Sequence, residues 1–428
     1  MTLRLRRLHA RQILDSRGRP TVEVDAELDD GSAGRASVPS GASTGSAEAR
    51  ELRDGDPVRY AGQGVLRAAG HVDGEIAAAL RGRPVDDQRA LDEALRALDG
   101  TPQLGRLGAN AVLAVSLAVC RAVAAARGQA LYERIAELAN TAPTLPLPMV
   151  NILSGGLHAG RGMDVQDFLA VPLGAPSFAE AVHVAWRVRS AATEAVRERG
   201  LPTLLADEGG LGPGLPSARE ALRLMVESIE RAGLRPGEDV GIAIDVAATA
   251  LVDGARYRLA REGRMLDGAA MIDWLAEWAD EFPVVSIEDG LAEDDWIHWR
   301  GLSARLGARL QLVGDDLFAT RPERLARGVG EGVANAVLVK ANQNGTLSGT
   351  LDVAAQARAA GYAGIVSARS GETEDSFLAD LAVGSAVGQV KIGSLRTSNT
   401  LAKYNQLLRI EERSGAAYAG RAALAPHR

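Results

Sequence analysis

The sequence predicts an α/β protein, with an N-terminal α+β domain over residues 1–138 and an eight-stranded (β/α)8 barrel over residues 139–428. Three observations predict it. Eight short strand-like runs recur in the second part, MVNIL, DFLAV, VGIAID, VVSIED, LQLVGD, AVLVK, GIVSA and VKIG, separated mostly by helical stretches, which is the pattern of a closed barrel. At 428 residues the chain exceeds the length at which one core stops growing, so a barrel with an attached smaller unit accounts for it. Asp245, Glu288, Asp315 and Lys340 each close one of the runs, so the strand mouths converge on a charged centre.

Taken in order, residues 20–38 alternate apolar and polar on both sides of an Asp-Asp-Gly-Ser turn and predict a hairpin. Helical periodicity follows through 61–80, 85–98 and 108–138. The loop TAPTLPLP at 141–148 marks the domain boundary. MVNIL and DFLAV lie too close for a helix between them, so the barrel opens on a hairpin and not on a regular βαβ unit. Helices are predicted at 217–233, 268–280, 322–333 and 347–360, and a last one at 400–413.

Composition narrows the function. Lys+Arg of 48 against Asp+Glu of 55 gives 48 − 55 = −7, which argues against a polyanion-binding surface. Aromatic residues at 4% leave few base-stacking platforms, so nucleic acid is not an expected partner. The single Cys120 excludes an internal disulfide framework and, within AVLAVSLAVCRAVAAA, reads as a small buried residue. The start MTLRLRRLHARQ lacks a following apolar region, and every long apolar stretch is interrupted by a charge or turn signal, so a cytoplasmic protein without membrane contact is expected. No GxGxxG follows a strand, and dinucleotide binding has no support.

Carboxylates at successive strand ends suit a hard divalent cation, and Asp245, Glu288 and Asp315 therefore read as Mg2+ ligands, although each alone would also serve as a loop cap. A lysine facing such a cation can lose its proton and act as a base, and Lys340 is the candidate; neutralising neighbouring carboxylates is its other role. In ADEGGLGPG at 206–214, Asp207 and Glu208 precede a glycine-rich turn, and Glu208 is a proton-transfer candidate. Arg369, Ser370 and Lys391 follow the last two strands, where barrels hold phosphate against backbone donors and cations. VPSGASTGSAEA at 38–49 reads as a loop whose Ser43 or Thr44 closes on the site, or as a plain surface turn. Of the histidines, His158 in SGGLHAG lies near a strand end with polar company.

These residues sit in blocks that resemble the enolase family, the phosphopyruvate hydratases, over nearly the whole chain. The blocks are DSRGRPT at 15–21, PSGASTG at 39–45, GANAVLAVSLA at 108–118, ADEGG at 206–210, SIEDGL at 286–291, VGDDLF at 313–318, SGETED at 370–375 and AKYNQLLRIEE at 402–412. The resemblance implies an enolase-type barrel with a ββαα start and a homodimer or homo-octamer. It also implies two Mg2+ ions per active site and a phosphorylated three-carbon acid as substrate. Asp245, Glu288 and Asp315 would hold one ion and Ser43 the second. Lys340 would take the α proton, Lys391 would stabilise the enolate, and Glu208 would assist departure of the 3-hydroxyl. Arg369 and Ser370 would hold the phosphate, with His158, Gln166 and Asp167 along the remaining wall.

The departures fall at the hydroxyl and phosphate end. SARSGE stands for SHRSGE, so Ala368 replaces a histidine; QDF stands for QEF, so Asp167 replaces a glutamate. One methylene withdraws the carboxylate by roughly 1.5 Å, and a misplacement of about 1 Å can cost about a hundredfold in rate. KANQNG at 340–345, LHAGRG at 157–162 and DEGGLGPG at 207–214 also differ from the family pattern. The metal carboxylates and both lysines remain, which suits an enzyme more than a non-catalytic scaffold. Ala368, Asp167 and Ala341 make room for a bulkier partner, as in a specialised synthase of phosphonate natural-product biosynthesis resembling carboxyphosphonoenolpyruvate synthase. Dehydration of 2-phosphoglycerate to phosphoenolpyruvate in glycolysis is the alternative.

Overall fold

The computed structural model describes residues 2–41 and 45–425. Its first unit is an antiparallel sheet of β1 (Leu5–Leu14), β2 (Pro20–Leu28) and β3 (Ala33–Ser37). In β2 the alternation buries Val22, Val24, Ala26 and Leu28. β1 is an element that the sequence reading lacks, because the basic residues of LRRLHARQIL obscure its period. The helices are α1 (Leu66–His71) and α2 (Ala77–Leu80), joined by a π turn at Val72–Ile76, then α3 (Gln88–Asp99), α4 (Ala109–Ala126) and α5 (Leu131–Ala139). The expected run 61–80 begins later, since Tyr60 and Ala61 have φ of 51° and 50° and cannot extend a right-handed helix. The expected run 108–138 is two helices, broken where Gly128 turns at φ 62°.

α4 lies directly under the sheet: a Cβ on Gly34 of β3 would collide with the backbone of Ala118 and Ala122. Among the described residues α4 is the helix long and apolar enough to cross a membrane, yet 83% of it is buried inside the protein. Cys120 sits there, fully buried, with burial pushing its thiol up to about 12.

The second unit runs β4 (Thr144–Leu145), β5 (Leu147–Ser154), β6 (Asp167–Val171), α6 (Phe178–Glu198), α7 (Ala218–Arg231) and β7 (Gly241–Asp245). A small meander of β8 (Val252–Asp253), β9 (Arg256–Leu259) and β10 (Arg264–Leu266) follows, then α8 (Gly268–Glu281), β11 (Val284–Glu288), α9 (Trp296–Leu306), β12 (Gln311–Gly314) and α10 (Pro322–Glu331). β13 (Ala336–Val339), α11 (Ala341–Asn344), α12 (Leu347–Ala359), β14 (Ala363–Ser367), α13 (Phe377–Gly384), β15 (Gly388–Gly393), α14 (Ser398–Ser414) and β16 (Ala417–Tyr418) complete it. Strands β5, β6, β7 and β11–β15 close one barrel, and they are the eight runs read from the sequence. β6 is antiparallel to both β5 and β7, with two helices before β7, which is the ββαα start; the other pairs are parallel.

Serine, threonine and aspartate side chains cap the helices that set the strand order: Ser177 for α6, Ser217 for α7, Asp267 for α8 and Thr346 for α12. Inside the barrel, Leu169, Val313, Leu338 and Ile365 form a packed layer, below which Gln311 Nε2 donates to Gln389 Oε1 at 3.0 Å. The interior is therefore a filled plug, and the ligand space lies at the strand mouths. The first unit reaches those mouths: Ser40 and Gly371 exchange backbone hydrogen bonds of 2.8 and 3.0 Å.

Candidate active site

Parallel pairing aligns the ends of neighbouring strands, so the residues that close β7, β11, β12 and β13 meet at one mouth. Asp245 and Glu288 are direct register partners. Lys391 rises from β15 between them, with Nζ 2.8 Å from Asp245 Oδ2 and 2.8 Å from each Glu288 oxygen. Burial works against its charge, but Asp245 and Glu288 hold its pKa well above the usual lysine range. Glu288 itself is pushed well above the carboxylate range by burial and by Asp245.

The next part of the mouth is built from Lys340, which ends β13 and starts α11. Its Nζ donates to Asp315 Oδ2 at 2.5 Å, and Gln343 Nε2, one turn on, donates to Asp315 Oδ1 at 2.9 Å. Burial opposes the Lys340 charge and Asp315 restores it, leaving the pKa raised. Burial likewise opposes the Asp315 charge, and Lys340 outweighs it, so that carboxyl lies below its usual value. The predicted ligand trio is thus spread over two clusters. Asp245 and Glu288 meet through Lys391, whereas Asp315 stands with Asp289 and Asp316, one oxygen of each lying within 4.8 Å of the others.

Asp289 and Asp316 were absent from the sequence-read site, although the doublets in SIED and VGDD carried the signal. The Asp289 oxygens accept the backbone N–H groups of Asp315 and Asp316 at 2.9 and 2.8 Å, which fixes the turn after β12. Burial and Asp315 raise the Asp316 carboxyl to about 7. The predicted Ser43, with Thr44, lies outside the described residues.

A third cluster occupies the β5–β6 side. His158 Nδ1 is 3.1 Å from Asp167 Oδ2 and 3.9 Å from Glu208 Oε1. Asp167 is held from behind: Asn151 Nδ2 and Ser154 Oγ both donate to its Oδ1 at 2.7 Å. Gly210 permits this packing, since a Cβ there would meet the Asn151 and Ser154 side chains. Burial lowers the His158 imidazole, but Glu208 and Asp167 outweigh it and lift the pKa to about 9. Burial raises the Glu208 carboxyl despite that imidazole. Gln166 Nε2 donates to Asp245 Oδ2 at 3.1 Å and joins this wall to the Lys391 cluster. Ala368 is buried, and its N–H donates to the Lys391 carbonyl at 2.8 Å.

Arg369 follows β14 and is bound across the molecule. Its Nη1 donates to Glu48 Oε2 at 2.9 Å and to Asn342 Oδ1 at 3.1 Å, and its Nη2 to Glu48 Oε1 at 3.3 Å. Gln343 Nε2 also reaches Glu48 Oε1, at 3.2 Å, so a continuous chain runs Lys340–Asp315–Gln343–Glu48–Arg369. Burial would lower the guanidinium, and Glu48 more than restores its charge. The Ser370 hydroxyl accepts from Arg17 Nη1 at 3.1 Å. Glu48, Arg17 and Gln343 were missed as site residues. Contacts spanning hundreds of residues leave no local pattern, and the GxSTGxxE-like spacing before Glu48 was the one available hint.

The donor set fits a hard cation. Asp245, Glu288, Asp289, Asp315 and Asp316 outnumber the two ammonium groups, of which Lys391 bridges Asp245 and Glu288 and Lys340 pairs with Asp315. Barrel, mouth carboxylates and cap agree with the comparison to known families. A model described as "Enolase, N-terminal domain" matches residues 5–135, and one described as "Enolase, C-terminal TIM barrel domain" matches residues 142–427. The two matches take in both units and every strand mouth just described: the chain belongs to the enolase family and is an enzyme of the enolase superfamily.

Proposed function

We propose that the chain removes the proton α to the carboxylate of a 2-phosphoglycerate-like acid in a Mg2+-dependent reaction, as a specialised synthase resembling carboxyphosphonoenolpyruvate synthase. The observation that carries this reading is the pairing of two buried lysines with the carboxylate set, Lys340 with Asp315 and Lys391 with Asp245 and Glu288. Asp245, Glu288 and Asp315 would hold Mg2+, which supplies charge stabilisation to the enolate when bound.

Lys340 is the base. It is paired with Asp315, and a base must be neutral, so Asp315 has to be engaged elsewhere before Nζ accepts the α proton. Lys391, with three carboxylate contacts, stays protonated and faces the developing negative charge. Arg369 and Ser370 take the phosphate from the cap side, and His158, Gln166 and Asp167 line the opposite wall.

The synthase reading is favoured by the hydroxyl end. Asp167 is drawn back onto Asn151 and Ser154, an imidazole stands between it and Glu208, and Ala368 offers only a methyl. Ordinary dehydration to phosphoenolpyruvate is the second reading, favoured by the buried Glu208 beside His158, with Oε1 3.9 Å from its Nδ1, as a group placed to assist a departing hydroxyl.

The test follows the ultraviolet absorbance of the enol double bond with Mg2+ and 2-phosphoglycerate, alongside deuterium exchange at the α carbon, with Lys340→Ala as the blank. Exchange that is lost in the variant, with little absorbance rise, is the expected result. A rapid rise would establish the dehydratase, and absence of both signals would remove the proton-abstraction reading. A cytoplasmic location and a homodimer or homo-octamer belong to the same proposal.

A further inference from the structure

A cavity of about 330 Å3 opens beside the mouth, between the β5–β6 connection and the segment running from the end of β7 into β9. That volume suits a small metabolite. It shares two residues with the catalytic cluster's supports: Gln166, whose amide binds Asp245 Oδ2, and Ala247, whose N–H binds Asp245 Oδ1 at 3.0 Å. Ala247 adopts φ 50°, which turns the chain away from β7 and opens the space.

Three arginines line the cavity, Arg161, Arg258 and Arg261. All three are exposed, and among the described residues no ion pair or side-chain hydrogen bond joins their guanidinium groups to the protein, so they are free to meet a ligand. Asp164, one of the two acids in the lining, is committed elsewhere: its oxygens accept the backbone N–H groups of Arg261 and Glu262 at 3.0–3.1 Å. Asp253 also lines the cavity, exposed on β8. Met163, Val246 and Leu251 supply an apolar surface for the body of a ligand.

We infer that this cavity binds a second, anionic substrate, a small phosphonate or carboxylate, next to the proton-abstraction centre. Planar guanidinium forks recognise both groups bidentately, and the floor formed by Gln166 and Ala247 puts the bound molecule one side chain from Asp245. Arg161 stands in LHAGRG, one of the segments that departs from the family pattern, so the cavity also accounts for a departure that the α-proton chemistry does not use. The inference rests on the two-substrate reading of the function.

The test is calorimetric titration of the full chain, with Mg2+ present, by phosphonoacetate. Arg161→Ala combined with Arg258→Ala is expected to weaken binding at least tenfold, while Arg264→Ala, an exposed charge outside the cavity, leaves it intact. Equal weakening by Arg264→Ala would show nonspecific attraction and overturn the site. Unchanged binding in the double variant with loss in Lys391→Ala would place the anion among the catalytic groups and also overturn it. α-Proton exchange by the wild-type chain separates the two claims. Arginine-dependent binding without exchange keeps the site and removes the synthase reading, whereas exchange with arginine-independent binding does the reverse.

Discussion

The two halves of the mouth handle buried charge differently. On the β7–β13 side each ammonium touches carboxylates directly, through Lys391 on Asp245 and Glu288 and Lys340 on Asp315. On the β5–β6 side two carboxyls share one imidazole, and Asp167 is turned back toward Asn151 and Ser154. The first arrangement is prepared to stabilise new negative charge. The second sets an imidazole, lifted to about 9 by its carboxylate neighbours against burial, beside Glu208, which burial pushes up. Under the proposed function the α proton leaves on the first side and the hydroxyl on the second, where Asp167 and Ala368 depart from the family pattern.

Four experiments would break or sharpen that contrast. Lys340→Ala should abolish α-deuterium exchange, by about 10³-fold or more, because a positioned base is removed; an exchange rate within tenfold of wild type would move the base to another residue. Glu48→Ala should leave the Arg369 guanidinium buried without its counter-charge and lower unfolding stability by about 3 kcal/mol, read by denaturant titration. Glu48→Gln should lose less, since it keeps a hydrogen-bond acceptor. Asp167→Glu, which extends the carboxyl by one methylene, should raise dehydration relative to exchange by about tenfold to a hundredfold; an unaltered ratio would locate the difference at Ala368.

The smallest effect calibrates burial itself. Asp380 on α13 is buried away from both clusters, and burial raises its carboxyl to about 6 against the opposing charge of Arg121. The folded state therefore holds a proton that the unfolded chain releases near pH 4, and stability should fall as pH rises from about 4 to about 6, by roughly 1 kcal/mol per unit at most. Asp380→Asn should flatten that slope; an identical slope in the variant would assign it to other carboxyls.

The barrel was legible because its strands are short apolar runs that end in a charge, a signal contained within five or six residues. Asp245, Glu288, Asp315 and Lys340 were legible for the same reason, each standing where a run stops. The split of the carboxylates between Lys391 and Lys340 was not, since it depends on side chains crossing from β15 and α11. The caged Asp167 was half legible: its shortness could be read from QDF, but its withdrawal onto Asn151 and Ser154 required the strand pairing of β5 with β6. In the first unit, β1 and the break at Gly128 escaped because charge masked one period and a long apolar run hid the other.

The bond between Glu48 and Arg369 bears on how such a chain can change over time. Its two halves look like separable modules, each matched on its own by a family model, yet a buried guanidinium in one is neutralised by a carboxylate in the other. A recombinant that joined this barrel to a foreign first unit would inherit a buried guanidinium stripped of its carboxylate partner unless the newcomer carried an acid where Glu48 stands. Exchange of whole modules between relatives is therefore restricted at this buried pair, which ties the divergence of one half to that of the other.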